Sequence, residues 1–207
     1  MRQRLLIYGT ALFALLWLGG IALGLRSLFN YESAPGRVAA VPATWPSSRL
    51  ELATDGPTLV MLAHPRCPCT RASVGELAEV MAHVAGKARA YVLFSKPAGS
   101  GADWDDTDLR ASAASIPGVT VLSDIDGSEA RRFGAETSGH TLLFAADGRL
   151  LFSGGITQSR GHAGDNIGAS AIVSLVQGKL PARAQTFVFG CSLPKPAHSA
   201  LAAITNR

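Results

Sequence analysis

The segment His64-Pro-Arg-Cys-Pro-Cys-Thr70 gathers three side chains suited to redox or metal chemistry: His64, Cys67 and Cys69. A cysteine attacks or ligates as its thiolate, so the question is whether the surroundings favour the anion. The apolar run 58–63 before His-Pro, and Ala72, Leu77, Val80, Met81 and Val84 at helical spacing after it, predict strand, turn and helix. Cys67 then stands at the helix start, where unpaired N–H groups and the positive helix end stabilise a thiolate. Pro68 suits the first helical position and pushes Cys67 out of helical geometry, which makes Cys67 the N-cap. Arg66 and Arg71 are expected to lower its pKa further.

Cys69 is the nearest partner in sequence. Two extended steps span up to about 7 Å between Cα atoms, near the limit for a disulfide, and in a helix the two side chains would point roughly 200° apart. A Cys67–Cys69 disulfide would therefore be strained, and strained disulfides are oxidising and labile. Cys191 is an equal alternative as resolving partner. Three cysteines in 207 residues do not make a disulfide scaffold. They suit a working thiol site.

The elements that must hold this site follow from the chain's patterning. Residues 5–25 carry no charged side chain, and a helix of that length spans the roughly 30 Å core of a bilayer. Arg2 and Arg4 precede it, which by the positive-inside tendency leaves the start in the cytoplasm and exports the rest. A cleaved signal peptide ending near Val38-Ala39-Ala40 is the alternative, although its apolar region is usually about 7–15 residues. Residues 1–25 are thus read as cytoplasmic start and anchor. Residues 26–48, with Pro35, Gly36, Pro42 and Pro46, read as an extended linker. Residues 49–192 form the folded domain, and 193–207 a polar tail that contains His198. The net charge is +4, yet residues 49–192 hold thirteen Lys and Arg against fourteen Asp and Glu. A nearly neutral domain excludes nucleic acid as an expected partner.

Within the domain, strands are predicted at 90–94 and 119–122, with helices at 108–115 and 127–133. A hairpin of 141–145 and 149–153 turns through Ala146-Asp147-Gly148, and a last helix is capped by Asp165 or Asn166. The alternation implies an α/β fold with helices on a mainly parallel sheet. His83 falls on the first domain helix, where a packed or surface role suits it better than ligation.

This order, a βαβ half followed by a hairpin and a closing helix, resembles the thioredoxin superfamily over residues 58–178. Val121-Leu-Ser-Asp124, Ala130-Arg-Arg-Phe-Gly134 and Leu142-Leu-Phe144 with Asp147-Gly-Arg-Leu150 are most similar to the membrane-tethered periplasmic thioredoxins of cytochrome maturation, and to peroxiredoxins. The resemblance implies a central mixed sheet flanked by helices. The site departs from the family's Cys-x-x-Cys, since Thr70 stands where the second cysteine should be and Cys69 one residue early. The Pro-x-x-x-Thr-x-x-Cys pattern of peroxiredoxins is missing. In Gly139-His140-Thr141, His140 replaces the family's cis-proline, and the resemblance implies that its imidazole lies near Cys67. The loop 159–166 borders the substrate groove in the family, so Arg160 is expected to stabilise a thiolate and His162 to move protons, beside a plain reading as a Gly-rich turn.

Two functions follow. The first is a thiol–disulfide oxidoreductase of the cell envelope, in the bacterial inner membrane with its domain in the periplasm. Cys67 attacks a thiol or disulfide protein partner, Cys69 or Cys191 resolves, His140 or His162 assists, and no cofactor is expected. The second is a metal-binding or metal-delivery protein in which Cys67, Cys69 and His140, with Cys191 or another His, hold copper, zinc or an iron–sulfur cluster.

Overall fold

A computed structural model describes residues 2–84 and 86–193. The chain divides into two compact units, residues 1–34 and 35–207. The first is helix α1, Arg2–Ser33, whose apolar stretch has a mean hydropathy of 2.0 and whose described side chains are nearly all exposed. At about 1.5 Å per residue it is long and apolar enough to cross a membrane. Helix continues past residue 25 into the stretch read as linker, because residues 26–33 contain neither Pro nor Gly to stop it.

The second unit is built on the strands β1 (Thr58–Ala63), β2 (Arg89–Lys96), β3 (Val119–Ile125), β4 (His140–Phe144) and β5 (Leu150–Gly154). They form one sheet in the order β3-β2-β1-β4-β5. β1, β2 and β3 run parallel, while β4 pairs antiparallel with β1 and β5 with β4. Parallel neighbours need crossovers, supplied by α2 (Pro68–Val84) between β1 and β2 and α3 (Asp108–Ala114) between β2 and β3. The central strand β1 is buried at every position, which explains its unbroken apolar run. Alternation along the strands divides the core between two faces. On one, Leu59, Met61, Leu143 and Phe152 meet Val74, Leu77, Val80 and Met81 of α2 and Ile172 of α5 (Ile167–Val176). On the other, Val60, Leu62, Leu142 and Phe144 meet Ala130 of α4 (Ser128–Arg132) and Phe133. Each such buried side chain contributes about 1.5–3 kcal/mol relative to exposure, so α2 is firmly seated. Thr107 caps α3, and Asn166, of the two expected candidates, caps α5 by accepting from Ala169 N–H at 2.7 Å. The hairpin turns through Gly148, which holds φ +85°, a region open to glycine.

Residues 35–48 lie along this unit as a strap. Trp45 N–H donates to Gly148 O and Leu150 N–H to Ala43 O, and the Trp45 ring meets Phe133 and Phe144 edge-on at 5.3 and 5.1 Å. A second strap is 184–193, which bridges in parallel to Ser153 through Gln185 and antiparallel to Thr137 through Ser192. The expected polar tail lies, apart from Leu193, outside the described residues.

Candidate active site

β1 ends at Ala63, and a tight turn closed by Cys67 N–H to His64 O delivers Cys67 to the first turn of α2. Thr70 N–H returns to Cys67 O at 3.1 Å, as expected of a residue just outside the helix. The turn is fixed by a residue the sequence reading passed over, the buried Ser138. Its hydroxyl accepts from His64 N–H at 2.7 Å and lies 2.5 Å from the Thr70 hydroxyl. Ser138 N–H in turn donates to Cys191 O at 2.8 Å, and Gly139 N–H to Leu62 O at 2.7 Å. Ser138 therefore ties the Cys67 turn to the strap that carries Cys191. Its only signal in the sequence is its place in Thr137-Ser-Gly139, just ahead of a strand.

Through this tie the three cysteines converge. The Cys67 and Cys191 sulfurs stand 2.9 Å apart, about 0.9 Å beyond a covalent disulfide, and the Cys69 sulfur lies within 4.8 Å of both. All three are free thiols. Burial pushes the Cys67 thiol up, but hydrogen bonds from Cys191 and Thr70 outweigh it and leave its pKa below the ordinary value. Burial and then the Cys67 charge raise Cys69, with Arg160 opposing. Burial, the bond to Cys67 and its charge push Cys191 up to about 12. The site thus favours one thiolate, on Cys67, with the proton held on Cys191 and aimed at it.

The remaining expected residues divide. Arg160 lies beside Cys69 and Cys191 and donates from Nη1 to Gly190 O, which fastens the strap. Its own loop is anchored by the buried Glu76 of α2, which accepts from Gly164 N–H at 2.6 Å and Asn166 Nδ2 at 2.9 Å. His162 is exposed, its Nδ1 2.8 Å from Ser159 Oγ. Arg71 pairs with Asp108 at 2.7 Å, and Arg66 stacks over Trp104 at 5.0 Å. Each arginine is engaged with a partner on the domain surface, and the groups that chiefly lower the Cys67 thiol are Cys191 and Thr70 instead. His64 is half-buried, with Nδ1 accepting from Arg66 N–H, and burial followed by Arg66 lowers its pKa. His83 is exposed against Glu79 O.

His140 does not join the thiols. In β4 it shares a face with Leu142 and Phe144, the face covered by α4, whereas α2, which carries Cys69 in its first turn, covers the other. Its Nε2 lies 2.9 Å from Ser153 Oγ on β5, its Nδ1 has no partner among the described residues, and burial lowers its pKa to about 4.

Sheet order, the βαβ half with its thiol turn, and the hairpin with its closing helix together define a thioredoxin-like fold. Two solved structures of similar extent share it. A hypothetical protein of Sinorhizobium meliloti 1021 is 21% identical with a TM-score of 0.56, over 79% of this chain and 96% of its own. An uncharacterized conserved protein of Geobacillus kaustophilus is 17% identical with a TM-score of 0.58, over 80% of this chain and 94% of its own. A secreted Mycobacterium tuberculosis disulfide oxidoreductase homologous to E. coli DsbE is 15% identical over 61% of this chain and 84% of its own, with a TM-score of 0.43. No protein-family model and no curated protein matches the chain.

Proposed function

We propose that the chain is a membrane-anchored thiol–disulfide oxidoreductase of the cell envelope, with Cys67 as attacking thiolate and Cys191 as resolving thiol. The observation that carries this reading is the 2.9 Å approach of the two sulfurs, made across the fold rather than within the Cys-Pro-Cys segment. The Cys67 thiolate attacks a sulfur of the partner's disulfide. That S–S bond breaks, a Cys67–partner bond forms, and the partner's other sulfur leaves and takes up a proton. Cys191 then loses its proton and attacks the Cys67 sulfur. A Cys67–Cys191 disulfide forms, and the partner departs carrying two electrons. The same steps reversed oxidise a dithiol partner. Cys67 is only 2% exposed, so a protein substrate reaches its sulfur only when the surroundings of the turn open. The test is a thiol map of the oxidised full chain. A Cys67–Cys191 disulfide with Cys69 alkylatable is expected, and a Cys67–Cys69 bridge would overturn the assignment.

Placement in the envelope is supported by α1 and by Arg2 and Arg4 at its start. In this reading the domain lies in the bacterial periplasm, where a dithiol cycles between its two states. A topology reporter fused after residue 207 is expected to be active only on the exported side, with the chain retained in membranes through carbonate washing. A reporter active only in the cytoplasm would reverse the orientation, and release of the chain by the wash would remove the anchor.

A further inference from the structure

We infer that the reduced chain holds one Cu(I) ion on Cys67, Cys69 and Cys191, a three-thiolate site that competes with the Cys67–Cys191 disulfide. The three sulfurs lie within 4.8 Å of one another, brought together from the β1–α2 turn, the first turn of α2 and a strap 124 residues away. Three thiolates around one ion at about 2.3 Å stand about 4 Å apart. The Cys67–Cys191 pair, at 2.9 Å, has to open by about 1 Å, and the other pairs are already within 4.8 Å.

The donor set selects the ion. Thiolates are soft ligands and favour Cu(I), Zn(II) or iron–sulfur clusters. Structural zinc is almost always four-coordinate, and iron–sulfur clusters of this kind take four cysteines. Among the described residues no His, Asp or Glu brings a fourth ligand atom to the cluster, and the imidazole of His140 is engaged with Ser153 instead. Cu(I), a closed-shell ion, forms stable three-coordinate thiolate complexes and needs no fourth donor. Three thiolates and one Cu(I) leave a net charge of −2, opposed by the Arg160 guanidinium beside Cys69 and Cys191 and by the Thr70 bonds to Cys67.

Binding transfers no electrons. Each thiol that ligates gives its proton to solvent, so up to three protons leave per ion and affinity rises with pH. Oxidation to the Cys67–Cys191 disulfide removes two of the three ligands, so the oxidised chain is expected to release the ion.

The experiment uses the full chain in detergent, reduced and kept anaerobic, titrated with Cu(I) against a chromophoric Cu(I) chelator. One ion per chain is expected, with proton release and a first shell of three sulfurs in X-ray absorption. Cys69→Ser and Cys69→Ala are each expected to lower affinity at least ~100-fold, beyond what losing an outer-sphere partner costs. Both are expected to retain Cys67–Cys191 disulfide formation, while His140→Gln binds as the wild type does. Equal copper retention by wild type and both Cys69 variants, an imidazole in the first shell, or undiminished binding by the disulfide form would each overturn the inference. Copper held without any disulfide forming would instead defeat the redox reading, so the two fail separately.

Discussion

Cys67→Ser is expected to slow disulfide exchange about 30-fold or more, whereas Cys191→Ser should preserve attack and accumulate a mixed disulfide. The difference follows from where the protons sit. Cys67 has its pKa lowered and Cys191 has its pKa raised to about 12, so near neutral pH the thiolate resides on Cys67. A gap of more than three units amounts to a factor above ~10³ in thiolate fraction. Part of it is returned because a more basic thiolate is intrinsically more nucleophilic, with a Brønsted slope of about 0.4–0.5. The net advantage of Cys67 in the first attack is then about 30-fold or greater. The larger factor is proximity. A resolving sulfur held 2.9 Å from its target has an effective concentration that no external thiol reaches. Without Cys191 the Cys67–partner bond persists, and a serine hydroxyl at 191 can still donate to the Cys67 thiolate. Removing Cys67 takes away the bond and the charge that add to the burial of Cys191, so its pKa should fall, while burial still holds it above the ordinary thiol value. The measurement is the rate of thiol release from a small aromatic disulfide, with mass analysis of the intermediates. Equal rates for wild type and Cys67→Ser, or no adduct on Cys191→Ser, would sink the assignment of roles.

Much of the scaffold was legible because it is written locally. The apolar run of β1, the helical spacing of α2 and Pro68 between them fix the strand–turn–helix that places Cys67. Asn166 and Gly148 mark a helix start and a hairpin turn by the backbone geometry they permit. What the sequence leaves open is long-range. Nothing local pairs Cys67 with a residue 124 positions away; that pairing depends on Ser138 N–H meeting Cys191 O and on Arg160 gripping Gly190 O. Cys67 and Cys69 would point roughly 200° apart only if both were helical. Cys67 precedes the helix, so its sulfur comes within reach of both other thiols. His140 shows the opposite case, a residue in the expected place on the chain whose side chain the two-residue period of a strand sends to the other face. Arg66 and Arg71 likewise are near Cys67 in sequence but are claimed by Trp104 and Asp108.

That same burial gives His140 a measurable effect on stability, expected as a loss of about 3 kcal/mol when the pH falls from 6.5 to 4. The imidazole is fully enclosed, and burial lowers its pKa from 6.5 to about 4. A lowered histidine pKa means that the unfolded chain binds the proton more readily. Between the two values the unfolded state carries more protons than the folded one, so stability rises with pH through this window and is fully present above 6.5. The shift of about 2.5 units, at 1.36 kcal/mol each, sets the size. His64, whose pKa is lowered too, acts in the same sense but is only half-buried and adds less. The carboxylates Asp105 and Asp108 have lowered pKa values, so the stability they contribute is lost only below the ordinary value of 3.8, beneath the histidine window. His140→Gln keeps a polar side chain able to meet Ser153 Oγ and removes the titration. Its urea-unfolding free energy should vary little between pH 6.5 and 4 beyond the His64 contribution, while that of the wild type falls steeply. Parallel curves for the two proteins across that range would show that His140 is not held neutral by burial.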